Sequence, residues 1–201
     1  MIGGLCQKYG VRLITDEIYE YIVFNGRRHL SIAALPGLFE RTVTVSGFSK
    51  TFAMTGWRLG YSCGPAGVIQ KMALVSDLIY ICAPHPLQAG LAGAIPVFGE
   101  SYYSSLPVMY EAKRKILTRG LAAYGFEMLP LEGTYFCLAD YRKRYGNIGS
   151  MEAAERLLEE KAIAAVPARS FYSSGHDETW LRFCFAKEDG ELERAARLLG
   201  A

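Results

Sequence analysis

The chain has 201 residues, 51% hydrophobic, 21% charged and 12% aromatic, with a formal net charge of +2 at pH 7. That length holds one large domain or two small ones, and so slight a charge, with no basic run or acidic tail, argues against nucleic-acid and membrane-surface partners. Apolar stretches are cut by Gly, Pro or charge before they reach the roughly 20 residues of a membrane span.

The five cysteines, Cys6, Cys63, Cys82, Cys137 and Cys184, are scattered singly. They read as buried free thiols in a reducing compartment, not as a disulfide framework or zinc site. Residues 1–10 lack the basic and apolar regions of a signal peptide, and a cytoplasmic location is expected. The same residues read as the end of a helix already in progress, with Leu5, Cys6 and Tyr9 as its buried face, so the start of the chain looks cut.

In "VRLITDEIY" the apolar run at 11–14 ends in charge. This suits a buried parallel strand whose carboxyl end opens into a site. "TVTVS", residues 42–46, reads as a second strand and "WRLGYSCG" as a third. Val68, Met72, Val75, Ile79 and Cys82 recur at helical spacing, and a long helix is expected over 104–124, bent or started near Pro107. After Gly125 the pattern changes. "FEMLPLEGTYFCLADY" reads as a strand pair around Glu132–Gly133. "SMEAAERLLEEKA" reads as a helix with Ser150 as N-cap and Met151, Ala154, Leu157 and Leu158 on one face. "AIAAVP" and "TWLRFCFA" read as strands, and "DGELERAARLLGA" as a closing helix with Leu192, Ala195, Ala196 and Leu199 inward. The expected fold class is α/β: part of a mostly parallel sheet with helices over residues 1–105, then a smaller α+β domain over 106–201.

In "SGFSKTFAMTGWRLGY", residues 46–61, Lys50 stands in a run of small and apolar residues. Lost hydration disfavours the charged amine and makes it a usable nucleophile. Lys50 lies just past the end of a predicted strand, where α/β folds place site residues. Hydroxyls and amides around a glycine can hold a phosphate, and Arg58 can add a charge-assisted fork. A reactive amine beside a phosphate cradle suits a phosphorylated aldehyde cofactor. The bland alternative is a loop lysine that snorkels outward. Asp16 reads equally as a strand-end carboxylate, and Arg182 as a surface arginine on a strand.

"GFSKTFAMTGWRLG" resembles the pyridoxal-phosphate attachment motif of class I/II aminotransferases, of fold type I. The resemblance implies that Lys50 carries pyridoxal 5'-phosphate and that Ser49 and Arg58 contact its phosphate. The family often has a serine where Gly47 stands; Ser46, one residue earlier, is the available hydroxyl. "TDEIYEYIVFNG" resembles the family's segment that sets Asp16 against the pyridine nitrogen and Tyr19 against the phenolic oxygen. A carboxylate there keeps the nitrogen protonated, so that the ring accepts electrons. Glu17 reads as a solvated or structural charge.

"WLRFCFA" resembles the segment bearing the substrate-carboxylate arginine, which maps to Arg182. "EGTYFCLADY" and "AVPARSF" also resemble small-domain segments. The second departs from the family at Ala168 and Arg169, a change that narrows the mouth of the site or adds positive charge there. His29, His85 and His176 are isolated, and no metal is assigned. Tyr102 and Tyr103 are expected to pack, and Arg142 and Arg144 to form a solvated face. The resemblance implies amino transfer between an amino acid and a 2-oxo acid, with Lys50, Asp16 and Tyr19 catalytic and a homodimer in the complete enzyme. This chain would be the carboxy-terminal part. Alternatives are a β-lyase or a cyclopropane-forming synthase of the same fold, or a fragment without catalysis.

Overall fold

Helix α1 (Ile2–Tyr9) stops at Gly10, whose φ of 67° is open to glycine and lets its amide reach the Cys6 carbonyl. Only Cys6 of α1 is buried; Leu5 and Tyr9, expected inward, are exposed. The computed structural model describes residues 1–201, which divide into two units, Met1–Leu106 and Pro107–Ala201.

In the first unit, β1 (Leu13–Asp16) pairs in parallel with β2 (Thr42–Gly47), and β2 pairs antiparallel with β3 (Gly60–Cys63), in the order β1-β2-β3. The sheet is thus mixed, not mostly parallel. A parallel return needs a crossover of about a dozen residues or more, usually helical. The segment between β2 and β3 instead folds back through a 3-10 turn at Thr55–Trp57. Central β2 is almost wholly buried. By contrast β1, expected to be buried, lies at the sheet's edge with Ile14 79% exposed.

Helix α2 (Ala66–Tyr80) forms where its periodicity predicts, yet none of its residues is buried. Helix α3 (His85–Ala94), which carries a proline in its first turn and buries Leu91, is not anticipated by the sequence reading. Helix α4 (Glu100–Ala123) starts before the expected residue 104 and runs through Pro107, which neither starts nor ends it. Proline lacks the amide of an interior helical residue, and the division between the units falls at this position.

The second unit is built on an antiparallel sheet in the order β4-β5-β7-β6, from β4 (Glu127–Met128), β5 (Phe136–Asp140), β6 (Val166–Pro167) and β7 (Trp180–Cys184). Pro167 is accommodated because β6 is an edge strand. Helices α5 (Arg142–Tyr145), α6 (Ser150–Lys161) and α7 (Asp189–Leu199) complete the unit. Alternation on β7 turns Leu181 and Phe183 into the core. Leu192, Ala196 and Leu199 of α7 join them as expected, and Ala195 is half-buried. Gly120 of α4 is required by close approach: a Cβ there would lie 2.7 Å from the Ala196 Cα.

Two expectations about α6 are corrected. Its buried residues are Ser150, Ala153 and Leu157, whereas Met151 and Leu158 are exposed and Ala154 is half-buried. Ser150 is not the N-cap but the first helical residue, after Gly149. The Asp177 carboxylate does the capping: it accepts the Ser150 amide at 2.8 Å and the Ser150 hydroxyl at 2.5 Å. All five cysteines are free, but Cys63 and Cys82 are exposed, so the reading of buried thiols holds for Cys6 and Cys137 only. No helix is long and apolar enough to cross a membrane.

Candidate active site

Topology gathers the predicted cofactor residues of the first unit at one end of its strands. Parallel strands β1 and β2 end on the same side. Asp16 is the last residue of β1, and Tyr19 follows in the next turn; Gly47 ends β2, and Ser49 and Lys50 follow directly. Antiparallel β3 starts from that side, opposite Gly47, and Arg58 comes just before it.

The turn that carries Ser49 and Lys50 is closed by amide bonds from Phe52 to Phe48 and from Met54 to Ser49, both 3.0 Å. Ala53 and Arg58 take left-handed φ values of 51° and 57°. Each such residue costs about 1–2 kcal/mol, and strain of this kind concentrates where a loop is held for function. Tyr102 supplies restraint, because its hydroxyl donates to the Thr51 carbonyl at 2.6 Å. Phe52 lies nearly parallel to Tyr102, 10° between planes and 5.5 Å between centroids, and Tyr21 packs on Tyr103. Both tyrosines pack, as expected. Lys50 and Ser49 are half-buried.

Gly47 stands where the family often has serine, and the structure gives the reason. A Cβ would sit 2.9 Å from the Leu59 carbonyl oxygen and 3.0 Å from the Gly60 Cα. Ser46 does not supply the missing hydroxyl. It is buried and donates to the Glu17 carbonyl and to Glu20 Oε1, each at 3.3 Å. Arg58 is exposed, with Nη1 donating to the Thr55 carbonyl at 2.8 Å. Asp16 is exposed and accepts the Ile18 amide at 3.1 Å, a local turn that holds the carboxylate at the strand end.

Glu17 is buried and is structural rather than solvated. Burial by itself would raise its pKa, but hydrogen bonds from His29, Thr15 and Ser31 and the charge of His29 outweigh burial and hold it below the ordinary value. This residue was legible only in part. Strand alternation puts Glu17 on the face opposite Asp16, but its partners at 29, 31 and 44 are distant in sequence.

In the second unit, Arg182 on β7 lays its guanidinium over the rings of Phe136 and Phe171, 4.3 and 4.9 Å from the centroids. Its Nε is buried with no hydrogen-bond partner. Arg41 and Glu111 also have one unpaired buried atom, but each bonds the chain through another. An unpaired buried donor costs about 1–3 kcal/mol, although Arg182 as a whole is half-buried. Arg169 donates to the Gly175 carbonyl, and its amide donates to Ser150 Oγ. It braces a turn.

The donor set suits a phosphorylated pyridine aldehyde. Lys50 offers an amine, Asp16 a carboxylate for a protonated ring nitrogen, and Ser49 and Arg58 donors for a phosphate, all on the side where β1 and β2 end.

The chain is similar to known proteins over nearly its whole length. Residues 1–199 match the family model described as Aminotransferase class I and II. The chain is 36% identical to kynurenine--oxoglutarate transaminase 3 of Mus musculus, over 100% of this chain and 48% of that protein. It is 37% identical to methionine aminotransferase of Escherichia coli (strain K12), over 93% of this chain and 48% of that protein. Among solved structures, YbdL from Escherichia coli, identified as having a methionine aminotransferase function, matches with a TM-score of 0.91 at 36% identity, covering 98% of this chain and 52% of that one. The chain spans about half the length of the curated relatives it matches. A match over this much of its own length settles its kinship: the chain belongs to the class I and II aminotransferases.

Proposed function

We propose that this chain is part of an enzyme that moves an amino group between an amino acid and a 2-oxo acid, with pyridoxal 5'-phosphate carried by Lys50. The observation that supports this most is that Asp16, Tyr19, Ser49, Lys50 and Arg58 fall on the side of the sheet where β1 and β2 end and β3 begins. The cofactor, when bound, supplies an electron sink for the pair left at Cα. Lys50 would hold the cofactor, and its amine would carry the Cα proton. Asp16 would keep the ring nitrogen protonated, Tyr19 would bind the phenolic oxygen, Ser49 and Arg58 would bind phosphate, and Arg182 would take the substrate carboxylate.

In this reading residues 1–105 belong to the cofactor-binding large domain and 106–201 to the small domain. A homodimer is the proposed assembly and the cytoplasm the proposed location. Kynurenine and methionine, named for the relatives, are the first amino acids to assay.

The test is borohydride reduction of the complete protein with bound pyridoxal phosphate, followed by peptide mapping. The expected result is cofactor fixed to the peptide containing Lys50, and, in a separate unreduced sample, amino transfer to 2-oxoglutarate. Label on another lysine overturns the site, and release of ammonia without transfer overturns the reaction.

A further inference from the structure

We propose that Glu17, through its pair with His29, is a positioning residue for the cofactor-binding strand ends. This rests on the function proposed above. Glu17 follows Asp16 directly, and strand alternation sends the two side chains apart: Asp16 is exposed, and Glu17 is 7% exposed.

Every polar atom of Glu17 ties the end of β1 to something else. Its amide donates to the Val45 carbonyl at 2.8 Å, extending the parallel ladder beyond Asp16. Its carbonyl accepts the Ser46 hydroxyl at 3.3 Å. Oε2 meets His29 Nε2 at 2.8 Å. Oε1 accepts Thr15 Oγ1 at 2.8 Å, Ser31 Oγ at 3.1 Å and Thr44 Oγ1 at 3.4 Å. One side chain therefore joins β1, the middle of β2 and the segment at 29–31.

The consequence is positional. Asp16 has little of its own to hold it beyond the Ile18 amide, and β2 leads directly into the turn bearing Ser49 and Lys50. Glu17 fixes the peptide next to Asp16 against that strand. Burying a carboxylate is costly unless it is paired and hydrogen-bonded, and a well-packed apolar residue often serves stability as well or better. A buried charge with this many partners, next to the cofactor-facing carboxylate, is therefore better explained by orientation than by stability.

The test uses the complete protein with pyridoxal phosphate as the probe. The variants are Glu17→Gln, His29→Gln and the double variant. Three quantities are read: the cofactor dissociation constant, the visible circular dichroism of the bound cofactor, and the melting temperature without cofactor. The cofactor dissociation constant is expected to rise about tenfold in each single variant, in line with partners that orient a ligand from behind. The dichroic band should weaken, the double variant should bind no worse than the weaker single, and borohydride should still label Lys50. Affinity and dichroism within about twofold of the parent, or a loss that only tracks the melting temperature, overturn the proposal, as do fully additive losses. His29→Gln, at a half-exposed position, keeps the test decisive if Glu17→Gln does not fold. Absence of label at Lys50 in the unaltered protein overturns the function on which the proposal rests, and the proposal with it.

Discussion

Gly47 shows how a single residue sets the geometry of the lysine turn. A methyl group there meets the Leu59 carbonyl and the Gly60 Cα, both main-chain atoms that cannot rotate aside. Gly→Ala at an unstrained site stabilises by about 0.4–1 kcal/mol through the unfolded chain, whereas forced overpacking costs about 1–3 kcal/mol. The clash is the larger effect. Gly47→Ala is expected to lower the urea midpoint with an unchanged slope, and to weaken cofactor retention because the β2–β3 junction spreads beside Lys50. An unchanged midpoint would show that β3 yields freely. The opposite arrangement holds at Cys137, where burial pushes the thiol up to about 12, leaving it inert while Cys63 stays exposed.

At the scale of elements, α6 depends on a cap supplied from outside its own sequence. Burial alone would raise the pKa of Asp177. The hydroxyl and amide of Ser150 and the amide of Glu178 outweigh it, and the carboxyl is held below its ordinary value of 3.8. A carboxylate whose folded value is depressed contributes stability above its unfolded value, and that contribution is lost as pH falls through the lower folded value. The cap should therefore weaken only below pH 3.8. Asp177→Asn is expected to cost about 0.5–2 kcal/mol near neutrality, as for other lost N-terminal caps, and to flatten the acid limb of stability. Urea unfolding of parent and variant at pH 6 and pH 3 checks this; an equal difference at both would refute the charged cap.

At the scale of the whole chain, the first unit leaves much apolar surface uncovered. Ile14 of β1 is 79% exposed, and Leu74, Leu78 and Ile79 of α2 are 69%, 86% and 74% exposed. A groove of about 750 Å³ opens beside α2, lined in part by Met72, Val75 and Ile79 between Arg12 and Lys71. Contiguous apolar surface and an unpaired strand edge favour association. The 201-residue chain expressed alone is expected to self-associate with rising concentration and to turn over amino acids poorly. Sedimentation velocity and single-turnover half-reactions check both. A monodisperse monomer that keeps the cofactor through dialysis and reacts at an ordinary rate would show that the uncovered surface needs no partner.

What the sequence determined by itself was local. The lysine motif, the β-branched run of β2, the alternation of β7 and the helical stripe of α7 are each written within a dozen or so residues, and short-range periodicity and motif chemistry are enough to read them. The family resemblance rests on such stretches, and the match over residues 1–199 agrees with it. Tertiary structure decided what depends on residues far apart. Glu17 is buried because residues 29, 31 and 44 come to it. Ser150 lies inside its helix because Asp177 takes the capping position, and β3 runs antiparallel because the turn at 55–57 folds back. Leu5, Tyr9 and the apolar face of α2 stay exposed although their pattern predicts burial. Periodicity states that a face is apolar, but burial requires a second surface to exclude water from it, and that surface is set by the path of the rest of the chain.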